Sequence, residues 1–203
     1  AMLRMGPDGG PTILALPALF EEANRTRAIL VGVLRRLANA GWSVALPDLP
    51  GQGESLLPLA QVTLDDWRAA AQAAAAQLAS PIHVVAVRAG AVIDADVAAD
   101  SRWYWSPLTG AEQVRELTRL RDLGDGDGYA GNVVSEVLLS QLAAAEPTIT
   151  PPPRVVRMET DPRPADLKFF GAAPWRASEP AGDPALVANL ADDIATWLAA
   201  CAG

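Results

Sequence analysis

The chain has 203 residues, half of them hydrophobic, and its 16 basic and 24 acidic side chains leave a net charge of −8. That balance excludes a largely disordered protein and speaks against a general binder of nucleic acid or of anionic membranes. The single cysteine, Cys201, excludes an internal disulfide and a cysteine-built metal site, and it suits a reducing, cytoplasmic setting.

Residues 1–10 give no periodic signal and are expected to form an edge strand or a tail; they lack the long apolar core of a signal peptide. A short apolar strand is predicted over 12–16, closed by Pro17. After the polar stretch A-L-F-E-E-A-N-R-T-R, apolar positions recur at Ile29, Leu30, Val33, Leu34 and Leu37, one face of a helix that Gly41 ends. The next strand covers 42–46 and runs into the loop D-L-P-G-Q-G-E-S at 48–55. Thr63 and Asp66 occupy capping-box positions for an alanine-rich helix over 64–79, able to lie close against a sheet. Its alanine run is too short to span a bilayer. A β-branched strand opens at Ile82, with a helix expected behind it to about residue 99. A strand over 102–105 is stopped by Ser106-Pro107. Amphipathic helices are expected over 111–123 and 132–145, joined by a flexible G-D-G-D-G link, and another strand over 154–158. The last helix is capped by Asp183, starts at Pro184, and turns Leu186, Leu190, Ile194 and Leu198 to one side.

Short strands alternating with amphipathic helices predict βαβ crossovers and a mostly parallel sheet with helices on both faces. No linker divides the chain, so 1–203 reads as one α/β domain, with 107–150 as a small helical lid above the carboxyl ends of the strands.

The segment P-I-H-V-V-A-V-R-A-G-A-V-I at 81–93 is a buried strand that enters a small-residue turn and leaves toward a helix. That is the sequence form of a nucleophile elbow, whose small residues let strand and helix pack closely around a strained apex. Here the pattern is Ala86-Val87-Arg88-Ala89-Gly90, with an arginine at the apex. Arginine cannot be deprotonated in a protein and cannot attack an acyl carbon.

Three segments, in order, resemble the α/β-hydrolase fold: the D-x-P-G-x-G-x-S turn at 48–55, the elbow, and Met158-Glu159-Thr160-Asp161, which follows a late strand as the family's acid segment does. F-E-E-x-N-x-x-R from Phe20 to Arg27, W-S-P at Trp105 and P-W-R at Pro174 resemble, more narrowly, the hydrolase-like proteins of exosortase A systems. The second type of these also carries arginine at the elbow. The resemblance implies an α/β-hydrolase-like protein linked to bacterial exopolysaccharide production and protein sorting.

A catalytic triad needs a nucleophile, an imidazole base and an orienting acid. Arg88 stands at the nucleophile position, and the only imidazole, His83, lies on the strand before it and reads as a packed strand histidine. Where the base should come, beyond the acid, the chain offers Trp175. Asp161 alone survives from the triad. A lone buried guanidinium is costly, so Arg88 is expected to pair with Asp161, Glu21 or Glu22. Two roles fit it: a plug in a disused site, or an anchor for a carboxylate, phosphate or acidic sugar. The candidate ligand-binding set is Glu21, Glu22, Asn24, Arg27, Arg88, Asp161, Trp105 and Trp175, with Arg88, Glu22 and Asp161 the catalytic candidates. The favoured function is binding of an acidic or sugar-like small molecule; the alternative is a hydrolase or transferase acting on an ester or acyl substrate through its carboxylates. No cofactor or metal is implied. Asp94 and Asp96 do not share a helix face, and the link at 125–128 lacks the downstream glutamate of a calcium loop.

Overall fold

The computed structural model describes residues 1–53, 55–122, 129, 133–177 and 182–201. Its strands are β1 (Met2–Met5), β2 (Thr12–Leu16), β3 (Ser43–Pro47), β4 (Ile82–Val87), β5 (Ser101–Trp105), β6 (Arg154–Met158) and β7 (Leu167–Phe169). They form one seven-stranded sheet in the order β1-β3-β2-β4-β5-β6-β7. Every neighbouring pair is parallel except β1 with β3, so residues 2–5 make an antiparallel edge. Among the described residues the α-helices are α1 (Glu21–Asn39), α2 (Leu64–Ala75), α3 (Gly110–Asp122), α4 (Glu136–Ala143) and α5 (Pro184–Cys201).

Strands β2 and β4 are buried along their whole length, so their alternating residues feed two cores. Leu14, Leu16, Val84 and Ala86 face Trp67 of α2, Leu117 of α3 and Leu138 of α4. Ile13, Ala15, Val85 and Val87 face Leu30 and Leu34 of α1 and Leu190 and Ile194 of α5. The chain leaves β2 outward to β3 and then crosses back over β2 to reach β4, so α1 and α2 cover opposite faces. At such a reversal the loops leaving the two central strands part and open a crevice at their carboxyl ends. The loop after β2 and the bend after β4 form this crevice. No helix among the described residues is long and apolar enough to cross a membrane.

Four local expectations are corrected. The helix expected after β4 is instead two 3₁₀ turns, Arg88–Val92 and Asp94–Asp96. The segment is short, rich in β-branched residues and aspartate, and pinned midway, so a helical nucleus there has little to propagate. The pin is Asp94, fully buried, which accepts from Arg102 Nε at 2.7 Å, the Tyr104 hydroxyl at 2.7 Å and the Thr148 hydroxyl at 3.0 Å. Arg102 also donates to the carbonyls of Val97 and Thr150, so this knot ties the return from α4 to the segment after the bend. Helix α2 ends at Ala75 rather than at 79, as the chain turns ahead of Pro81. Trp42 falls outside β3, its N–H closing the end of α1 on the Leu37 carbonyl. Strand β7, three residues long, is too short to leave a periodic signal. Helix α4 is capped by the Ser135 hydroxyl and starts at Glu136. Leu123, the link at 125–128 and Asn132 lie outside the described residues. Helices α3 and α4 pack on each other between β5 and β6, with α3 over the turn that holds Arg88 and α4 against α2.

Candidate functional site

The bend after β4 has the backbone of an elbow. Arg88 sits at φ 54°, a left-handed conformation uncommon for a side chain with a β-carbon and worth about 1–3 kcal/mol of strain. A β-carbon on Gly90 would collide with the Pro17 carbonyl oxygen and lie 2.8 Å from that of Leu16. The glycine thus lets the turn press against the end of β2.

Arg88 is 3% exposed, and its guanidinium is held on every side. Nε donates to both Glu22 carboxylate oxygens at 3.0 and 3.1 Å, and Nη2 donates to Glu22 Oε1 at 2.8 Å. Nη2 also reaches Glu116 at 3.1 and 3.2 Å, and Nη1 donates weakly to the Ser106 carbonyl at 3.4 Å. The guanidinium carbon lies 4.5 Å from the centre of the Trp175 ring, a cation–π contact. Trp175 in turn meets Trp105 edge-on, with centroids 5.3 Å apart.

Local sequence explains how these groups converge. Glu22 and Thr26 continue the apolar stripe of α1 backward from Leu30 in steps of four, so Glu22 lies on the buried face and Glu21 does not. Glu116 comes from α3, one turn after the buried Gln113. Trp175 sits in a 3₁₀ turn opened by Pro174, and its carbonyl accepts from Arg25 Nη1 at 2.9 Å. Burial pushes the Glu22 carboxyl above its ordinary value; the Arg88 charge and hydrogen bonds pull it down, and Glu116 adds to the rise.

Of the three expected partners of Arg88, only Glu22 pairs with it. Asp161 is taken by two other arginines: Arg157 Nη1 donates to it at 3.0 Å and Arg163 Nη2 at 2.7 Å. Both sit close by in sequence, Arg157 near the end of β6 and Arg163 on the β6–β7 connection, so they reach Asp161 with little chain to close. Burial alone would raise the Asp161 carboxyl, but hydrogen bonds from Arg163 and the charges of Arg157 and Arg163 hold it well below the usual carboxylate range. Glu116, Arg157, Arg163 and Arg176 were missed by sequence reasoning. For Glu116 the usable signal was its place on the inward side of an amphipathic helix.

Asp161 and Arg88 do share a cavity of about 260 Å³, with Glu116, Arg163, Trp175 and Arg176 on its walls. Arg176 is exposed and, among the described residues, its side chain has no hydrogen-bond or ion-pair partner. Trp105 does not line this cavity; it is buried behind Trp175. Asn24 and Arg27 point elsewhere, into a separate cavity of about 390 Å³ between α1 and the loop after β3. Glu21 borders neither. About two turns of helix therefore divide the Phe20–Arg27 segment among three surroundings.

No imidazole approaches Arg88. His83 lies five residues earlier on an extended strand, about 17 Å away along its axis. Its Nδ1 is 2.7 Å from the Ser101 hydroxyl, its ring meets Trp197 edge-on, and burial lowers its pKa against the pull of Asp100. Among the described residues no cluster of three histidine, cysteine or carboxylate groups is placed to hold a metal.

No family model matches the chain, and no curated protein is similar to it. Solved structures do match. Mouse alpha/beta hydrolase domain-containing protein 10 shares 14% identity, with 97% of this chain and 92% of that one covered and a TM-score of 0.67. Est1E from Butyrivibrio proteoclasticus, solved with ferulic acid, shares 12% identity over 98% and 95% of the two chains, with a TM-score of 0.64. The thioesterase domain from the curacin biosynthetic pathway shares 14% identity over 96% and 94%, with a TM-score of 0.60. The fold is that of the α/β-hydrolases.

Proposed function

We propose that this chain is a hydrolase-like binding protein in which the triad has been dismantled, and that it holds an acidic, sugar-like small molecule in the cavity above Arg88. The observation that carries this reading is the elbow apex: a guanidinium, clamped by Glu22, occupies the place where a reactive hydroxyl would have to stand. Arg88 forms the floor and Arg176, with an unspent charge, forms the rim, so an incoming carboxylate finds a cation that no protein carboxylate has claimed. Asp161 and Arg163, locked together on the opposite wall, offer oxygens and N–H groups to hydroxyls. In this reading α3 and α4, within 107–150, act as the lid, since Glu116 of α3 closes over the guanidinium.

The resemblance of the F-E-E-x-N-x-x-R, W-S-P and P-W-R segments supports work in an exopolysaccharide or exosortase-linked pathway on the cytoplasmic side. Neighbouring genes for polysaccharide assembly or exosortase sorting would support that placement, and their absence across related genomes would remove it. Binding is tested by calorimetric titration of D-glucuronate into the wild type and Arg176→Gln. A loss of tenfold or more in affinity in the variant is expected; an unchanged affinity, or none in either protein, refutes the assignment.

A second reading, a hydrolase or transferase that activates water with a carboxylate, is favoured by Glu116, which lines the cavity with 45% of its side chain exposed. Glu116 accepts from Arg88 as Glu22 does, and Asp161 accepts from Arg157 and Arg163, so greater exposure is what sets Glu116 apart.

A further inference from the structure

The cavity that Asn24 and Arg27 line lies between α1 and the loop after β3, apart from the elbow cavity, and no residue lines both. At about 390 Å³ it is within the size range of small-molecule sites. Pro17, Leu46 and Leu49 give it an apolar floor. Its side-chain donors are unspent. Asn24 and Arg27 are both exposed, and among the described residues neither side chain makes a hydrogen bond, and no carboxylate lies within ion-pair reach of Arg27.

Gln52 adds a third donor. Its Oε1 accepts the Phe20 N–H at 3.1 Å, which fixes the orientation of the amide, and its Nε2 is buried without a partner. A buried amide N–H pair without an acceptor is costly, so an oxygen brought to it by a ligand in the cavity would be held there. Asp48, on the same wall, adds carboxylate acceptors, one of them 3.7 Å from the N-terminal ammonium in an exposed ion pair.

We propose that this second cavity binds a small polyhydroxylated anion of the aldonate type. Its carboxylate is received by Arg27 and the Asn24 and Gln52 amides, its carbon chain lies on the Pro17–Leu46–Leu49 floor, and its hydroxyls donate to Asp48. The site is independent of the elbow cavity and does not rest on the reading given for it.

The test is a calorimetric titration of D-gluconate into the wild type, Arg27→Gln and Arg176→Gln, with sorbitol as the uncharged counterpart. Arg27 is exposed and unbonded, so its substitution leaves the fold intact, which far-ultraviolet circular dichroism checks. The expected result is a gluconate-binding event at least tenfold tighter than sorbitol that Arg27→Gln weakens tenfold or more and that persists in Arg176→Gln, where only separate binding in the elbow cavity is lost. Undetectable gluconate binding, binding indifferent to Arg27→Gln, or sorbitol binding as tight as gluconate overturns the proposal. Loss of the Arg27-dependent event in Arg176→Gln overturns it too, by placing that ligand in the elbow cavity.

Discussion

Arg88 and Glu22, 66 residues apart in sequence, meet along one edge of the guanidinium, with Nε and Nη2 donating at 3.0 and 2.8 Å. Both side chains are buried, and a buried pair of this kind behaves asymmetrically: breaking it costs far more than replacing it. Arg88→Met strands the Glu22 carboxylate and is expected to cost about 3–5 kcal/mol in urea unfolding. Glu22→Leu is expected to cost as much. The double variant should recover most of that loss, because the pair's net contribution is small. Additive losses in the double variant would show that the pair is not the coupled unit described.

Gly90 is the second constraint on the bend. A β-carbon there meets the carbonyl oxygens of Pro17 and Leu16, which are backbone and cannot swing aside. Gly90→Ala is expected to destabilise the protein by about 1–3 kcal/mol, as overpacking does, and to lower the melting temperature measured by calorimetry. A neutral effect would mean that β4 and the loop after β2 are less tightly opposed than the geometry requires.

Asp161 sets a pH dependence with a definite sign. Arg163 and Arg157 hold its folded pKa below the unfolded value, near 3.9. The ionised form is therefore favoured in the folded state. Its contribution is present above the unfolded pKa and is lost as pH falls through the folded one. Asp161→Asn should reduce unfolding free energy by roughly 1–3 kcal/mol at pH 7. The gap between the two proteins should shrink steadily below pH ~4. A gap that stays constant down to acid unfolding would contradict the pairing.

Much of the fold was legible because buried strands and amphipathic helices leave periodic marks. Ile82 to Val87 and the Leu186–Leu198 stripe are examples. The choice of Glu22 over Glu21 was also legible, by carrying the α1 stripe back through Thr26. The pairing of Asp161 was not, because two cations within four residues of it outcompeted Arg88, and spacing alone does not rank partners. Glu116 needed the docking of α3 on the bend, a tertiary fact. The 3₁₀ turns after Arg88 followed from the burial of Asp94, whose partners come from β5 and from beyond α4.

The proposal that the triad is dismantled is tested most directly by turnover. Hydrolysis of p-nitrophenyl acetate and of an acyl-thioester is measured for the wild type, Arg88→Ala and Glu22→Gln. Rates at the buffer background for all three proteins are predicted, with no labelling of any of them by a fluorophosphonate. Wild-type turnover well above background that disappears in Arg88→Ala or Glu22→Gln would contradict the account.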